Sequence, residues 1–151
     1  MLEPDERKSQ SLEPGHRGYV AGVLDCDGSI WISADRSSKT ATQYTLRLSV
    51  TNTRRALPEW FCDHFGGTVA HYTKRNAKWK DEYRWNAAGL SAFPVLQVCL
   101  PYLVIKRKQA LLAIEFISTI IPGNKPIPDS YRALRADLYE KMSDLNKKGP
   151  K

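Results

Sequence analysis

The stretch Val20 to Trp31, V-A-G-V-L-D-C-D-G-S-I-W, constrains the fold more than any other part of the chain. Apolar and small residues lead into Asp25 and Asp27; Gly28 follows, and then an alternating run begins. This pattern predicts a helix whose C-terminal end delivers a carboxylate to the edge of a sheet. A helix C-terminus carries partial negative charge, so an acid there costs a few tenths to about 1 kcal/mol. Something cationic must offset it, and a divalent metal is the natural candidate. The competing reading makes Asp25 and Asp27 ordinary turn residues at a helix end. A calcium-binding loop is excluded, because its first and last ligand positions would fall on Val23 and Ala34.

The same helix, predicted from His16 to Leu24, has Gly18 and Gly22 four apart with Ala21 beside them. One face is therefore nearly bare of side chains. Two glycines in a soluble helix cost roughly 1 kcal/mol each against alanine, so a close approach by another backbone is the better explanation. That backbone belongs either to the protein's own sheet or to another helix.

The chain has 151 residues, enough for one domain with a real core. Its 23 Lys+Arg against 16 Asp+Glu give a net charge of +7, which favours a polyanionic partner, nucleic acid first and acidic membrane second. The three cysteines show no CxxC pair and no zinc spacing with the three histidines, and read as reduced thiols of an intracellular protein. Cys62 and His64, two apart on a helix, point away from one another. No apolar run approaches the ~20 residues needed to span a bilayer.

In chain order, residues 1–14 are polar and Pro-punctuated and predict a flexible arm. Residues 15–147 read as a single domain and 148–151 as a tail. Ser29 to Ser37 and Gln43 to Thr51 alternate, predicting an antiparallel strand pair. Ile30, Ile32, Ala34, Tyr44, Leu46, Leu48 and Val50 would face inward. Ser29, Trp31, Ser33, Gln43, Thr45, Arg47 and Ser49 would face outward, a set suited to base edges rather than the Lys/Glu mixture of an idle surface. A short helix from Pro58 to Phe65 stops at Gly66-Gly67. A second hairpin follows, Thr68 to Arg75 and Tyr83 to Ala88, with a basic and aromatic tip around Trp79. Its register is open: Val69 inward puts Ala70, Tyr72 and Lys74 outward, and a slip of one residue puts His71 and Thr73 there. Three helices complete the chain: one capped by Ser91 and ending near Pro101, one from Lys106 to Ile121, and one from Asp129 to Asn146. The order α-ββ-α-ββ-α-α-α describes an α+β domain with helices on one face of a four-stranded antiparallel sheet and the other face open to a ligand. Lys106-Arg107-Lys108 opens a helix where the macrodipole disfavours cations; with Asp27 and Arg54-Arg55 it points to phosphate handling.

The motif V-A-G-V-L-D-C-D-G-S-I resembles the one that names the LAGLIDADG homing endonucleases. The resemblance runs from about Gly18 to Asn146 and includes Trp60-Phe61, Gly66-Gly67 and L-P-Y-L-V-I-K-R-K-Q-A at 100–110. It implies a saddle-shaped αββαββα-type fold and a homodimer, since this chain carries one motif. Gly18, Ala21, Gly22 and Asp25 would lie at the dimer interface. Asp27 would be the essential metal ligand, with the Gly28 carbonyl beside it, Asn52 positioning water, and Lys106, or Lys108, near the scissile phosphate. Arg54 or Arg55 would be a peripheral basic residue. Ser29, Trp31, Ser33, Gln43, Thr45, Arg47, Ser49, Tyr72, Lys74 and Arg84 would contact double-stranded DNA. The implied activity is Mg²⁺-dependent cutting of both strands of a long pseudo-palindromic site, leaving 3′ overhangs. Mn²⁺ would substitute, and Ca²⁺ would bind without supporting efficient cleavage. An intron maturase or a non-cleaving nucleic-acid binder on the same scaffold is the alternative. The resemblance places such a protein in a prokaryotic cytoplasm or an organelle, with no membrane partner.

Overall fold

The computed structural model describes residues 12–37 and 41–147. Helix α1 spans Pro14–Asp27, β1 Gly28–Asp35, β2 Gln43–Asn52, α2 Ala56–Phe65, β3 Thr68–Tyr72 and β4 Glu82–Ala88. After a 3₁₀ turn, Gly89–Ala92, come α3 at Phe93–Cys99, a second 3₁₀ turn at Leu100–Tyr102, α4 at Arg107–Ile117 and α5 at Asp129–Asn146. The order is the expected one. The four strands form one antiparallel sheet in the order β1-β2-β4-β3.

The period-2 pattern of the strands sorts their side chains cleanly. Ile30, Ile32, Leu46, Leu48, Val50, Trp85 and Ala87 are buried beneath the helices. They pack with Val20 and Leu24 of α1, Phe61 and Phe65 of α2, and Leu138 and Met142 of α5. The other face carries rows of polar residues: Ser29 opposite Ser49, Ser49 opposite Asn86, Asn86 opposite Thr68. The register of β3 is settled by Val69 opposite Trp85, which puts Ala70 and Tyr72 on the polar face. Arg84 lies over the Tyr72 ring at 4.8 Å, consistent with a shared face. His71 instead stacks on Tyr83 at 4.7 Å.

Two glycines are required by close approach. A Cβ at Gly28 would meet Leu24 backbone at 2.7 Å, so the tight exit from α1 into β1 admits only hydrogen there. Gly67, at φ +85°, passes the Asn86 carbonyl where a Cβ would stand 2.4 Å from it.

Several expected boundaries move. Helix α1 starts at Pro14 and continues through both acids to Asp27. Leu12 is buried, so the chain is packed before residue 14; residues 1–11 and 148–151, the rest of the expected arm and tail, lie outside the described residues. Strand β3 ends at Tyr72, short of Arg75. Ser91 caps nothing: it lies within the 3₁₀ turn, and α3 opens after Ala92 with no side-chain cap. No helix among the described residues is long and apolar enough to cross a membrane.

Candidate active site at the end of the motif helix

The two acids of the motif have different surroundings. Asp25 accepts three backbone hydrogen bonds from one segment of its own chain: Val104 N to Oδ2 at 2.9 Å, Ile105 N to Oδ1 at 3.2 Å and Lys106 N to Oδ1 at 2.9 Å. These are donors at the entrance to α4, where a helix start leaves N–H groups unsatisfied. Burial alone would raise the Asp25 carboxyl, but the backbone donors of Val104, Lys106 and Ile105, with the Lys106 charge, hold it below its ordinary value.

Lys106 answers in the opposite direction. Its Nζ donates to the carbonyls of Leu24 at 2.7 Å and Asp25 at 2.6 Å, the terminal turn of α1. Burial lowers the ammonium's proton affinity, against the pull of Asp25, Cys26 and Asp27. A carboxylate at the start of one helix and an ammonium at the end of the other thus form a reciprocal joint, each on the side that the macrodipoles favour. The end of α1 thus has a cation from its own chain, Lys106, and the Asp25 carboxylate is engaged by backbone donors of its own chain.

Asp27 is exposed and differently placed. Its Oδ2 accepts one hydrogen bond, from Asn52 Nδ2 at 3.0 Å. Asn52 is oriented for this because its Oδ1 accepts the Arg54 N–H at 2.8 Å, which turns the NH₂ toward Asp27. Shorter than glutamine, Asn52 still reaches the acid. The second oxygen of Asp27 has no protein partner among the described residues.

A cleft of about 430 Å³ opens at the start of β1 on the polar face of the sheet, lined by Gly28, Ser29, Ile30, Trp31, Ser49, Thr51, Arg84, Lys106 and Asn146. It joins the α1–β1 corner to the face expected to contact DNA. Thr51 and Asn146 escaped the sequence reading. Thr51 accepts from Arg84 Nε at 3.2 Å, and strand parity would have placed it with Ser49. Asn146 comes from the far end of the chain, where its Nδ2 donates to the Ile30 carbonyl on the β1 edge at 2.9 Å; nothing local in the sequence marks it.

The remaining expected residues divide. Ser29, Gln43, Arg47 and Tyr72 are exposed on the polar face, and Trp31, Ser33, Thr45 and Arg84 are partly so. Arg47 Nε donates to Ser33 Oγ at 3.0 Å. Lys74 lies past the end of β3 and pairs with Glu82 at 2.9 Å. Ser49 lies on the polar face and lines the cleft, but it is only 4% exposed, on an inner strand between Ser29 and Asn86. Ala21 is a correction, since it is buried in the protein's own core and does not share the open side of α1. Gly18 and Gly22 do share it: a Cβ at either meets nothing within 4 Å. Lys108 and the Arg54-Arg55 pair are exposed, and Arg55 is engaged with Glu59.

No three His, Cys, Asp or Glu side chains converge as a metal cluster among the described residues. One hard carboxylate with a free oxygen nevertheless suits Mg²⁺, which takes one or two carboxylates and completes its shell with water and substrate phosphate. Cys99 is no alternative nucleophile, since burial pushes its thiol up to about 12.

A scan against protein-family models and a search of curated proteins returned no match. Solved structures do match. The homing endonuclease I-CvuI, in complex with its target in the presence of Ca, aligns with a TM-score of 0.70 at 26% identity, over 91% of this chain and 85% of that one. The archaeal intron-encoded homing endonuclease I-Vdi141I, complexed with DNA, aligns with a TM-score of 0.73 at 16% identity, over 93% and 89%. The homing endonuclease I-TnaI aligns with a TM-score of 0.65 at 14% identity, over 91% and 90%. With its motif helix, its element order and its four-stranded antiparallel sheet, this chain has the LAGLIDADG homing endonuclease fold.

Proposed function

We propose that this chain is a site-specific DNA endonuclease that acts as a homodimer and hydrolyses phosphodiesters with a divalent metal. The observation that carries the proposal is Asp27: an exposed carboxylate, aimed by Asn52, at the corner where the motif helix meets a polar sheet face. The structural relatives support the substrate class, since I-CvuI and I-Vdi141I were solved with DNA. I-CvuI was also solved with 2 mM Mg and uncleaved DNA, and with 2 mM Ca, which supports a divalent ion.

The open side of α1 supports the dimer. Gly15, Gly18 and Gly22 leave a bare stripe that nothing among the described residues fills. Val104 and Ile105, 84% and 69% exposed, are held beside the end of α1 by Asp25. A second copy packed on α1 would bury this apolar surface and account for glycines that weaken a lone helix by roughly 1 kcal/mol each. It would also bring a second Asp27 to the two-fold axis, completing a site that one chain leaves partial.

Asp27, with the Gly28 carbonyl at the start of β1, would hold Mg²⁺ or Mn²⁺, which would supply water activation and charge stabilisation at the attacked phosphate and the leaving 3′-oxygen. Asn52 fixes the Asp27 rotamer and orders solvent beside it. Lys106 anchors the end of α1 and contributes positive potential along the cleft. Ser29, Trp31, Ser33, Gln43, Thr45, Arg47, Tyr72 and Arg84 present donors, acceptors and rings from the sheet to the major groove. Lys74, paired with Glu82, ties the end of β3 to the start of β4. A two-fold protein reads a pseudo-palindromic site, and two cuts across the minor groove leave 3′ overhangs.

Selection from a randomised palindromic duplex library tests the proposal. Sequences cut with Mg²⁺ and spared with EDTA are the expected result. Binding without any cleavage would support the non-cleaving alternative and overturn the nuclease reading.

A further inference from the structure

Helix α5 carries a charge where its neighbours are apolar. Arg135 is 9% exposed, on the side of the helix that also buries Leu138 and Met142. Its Nε donates to Thr119 Oγ1 and its Nη2 to the Thr119 carbonyl, both at 2.8 Å, and its guanidinium lies 5.2 Å from the Phe116 ring centre. Thr119 is itself fully buried, and its hydroxyl donates to the Phe116 carbonyl at 2.7 Å. The guanidinium plane is therefore locked. Two of its five N–H donors are used. The carbonyls following α4 offset part of the charge, but no Asp or Glu pairs with Arg135 among the described residues.

Two cavities, of about 290 Å³ and 270 Å³, border this side chain. Arg132 and Thr42 line the first and Lys125 the second; no acid lines either. The sheet leaves room for them. Strand β2 pairs with β1 from Gln43 onward but with β4 only from Arg47, so Gln43–Leu46 has a free edge on that side. From Val50, opposite the start of β1, to Gln43 is about 24 Å along an extended strand. The cavities are thus remote from Asp27.

We infer that Arg135, Arg132 and Thr42 form a phosphate-binding site at the outer end of β2. A desolvated cation without a counter-ion is costly, and an oxyanion removes that cost. Arginine forks bind phosphate through paired N–H donors. A tetrahedral phosphate can accept from both guanidiniums and from the Thr42 hydroxyl at once, whereas a planar carboxylate would satisfy one fork. The phosphate group is either free in solution or part of a nucleic-acid backbone that reaches past the sheet.

Thermal unfolding of the DNA-free protein, titrated with inorganic phosphate against chloride at constant pH and ionic strength, tests the site without relying on nuclease activity. A saturable rise in midpoint is expected for the wild type. Arg132→Gln, an exposed change that gives up one hydrogen bond to the Ile127 carbonyl, should raise the half-saturating phosphate concentration at least tenfold. Arg135→Lys, which keeps the charge and loses the fork, should abolish the effect. A rise that never saturates, or an identical curve for Arg132→Gln, overturns the inference. Repeating the titration with a duplex bound identifies the source: loss of the phosphate effect assigns the site to the DNA backbone, and its persistence assigns it to a free anion.

Discussion

Asp25 and Asp27 are two residues apart in one helix, yet they sit in opposite regimes. Around Asp25 and Lys106 every strong group is paired within the chain: three N–H donors on one carboxylate, two carbonyls on one ammonium. Around Asp27 a single hydrogen bond from Asn52 sets the rotamer and leaves an oxygen open. The saturated corner suits positioning, and the open one the chemistry of the proposed function. Helical geometry makes this possible, because a step of two residues rotates a side chain by about 200°. One acid turns toward the entrance of α4 and the other toward Asn52.

Mutation should separate the two corners. The largest effect falls on Asp27→Asn: cleavage drops by about 1,000-fold or more, while DNA binding and thermal stability stay near wild type. Single-turnover kinetics alongside a melting curve would check it, and a melting midpoint that fell with activity would erase the distinction. Next comes Asp25→Asn, where stability should fall by about 1.5–3 kcal/mol, the range for hydrogen bonding to a charged acceptor. Its pH signature has a definite sign. Asp25 titrates below its ordinary 3.8 in the folded protein, so its contribution is complete above that pH and is lost as pH falls through the folded value. Asp35 and Asp81 are shifted the same way, so the difference between wild type and Asp25→Asn, not the total curve, isolates Asp25.

Asn52→Ala should be milder, lowering cleavage by about 10–100-fold with little change in stability, as for a residue that orients a ligand. Asn52→Gln should recover part of the loss if aiming Asp27 is its role. Smallest in the isolated protomer is Gly18→Leu. Its Cβ has open space, and leucine favours helix over glycine by several tenths of a kcal/mol, so the protomer should hold or gain stability. Association should weaken at least tenfold, measurable by sedimentation. An unchanged dimer would move the interface away from the glycine stripe.

Much of this was legible in the sequence. Strand parity put Ile30, Leu46, Leu48 and Val50 inside, and the apolar spacing of α5 marked Leu138 and Met142. The motif marked Asp27. Parity put Ser49 on the polar face but not at its depth, because depth on an inner strand depends on neighbours that pair only in three dimensions. Ala21 was grouped with two glycines by smallness, whereas its angle around α1 turns it into the core. The Asp25–Lys106 joint links residues 81 apart, and Asn146 meets Ile30 across 116. Such pairings follow from packing of distant elements, and no local pattern encodes them.

The central claim is that one chain holds half of a cutting site. Sedimentation of the protein on a cleavable palindromic duplex, with Ca²⁺ in place of Mg²⁺ to hold the complex, tests it most directly. Two protomers per duplex are expected, with addition of Mg²⁺ cutting both strands. One protomer per duplex that still cuts both strands would contradict it.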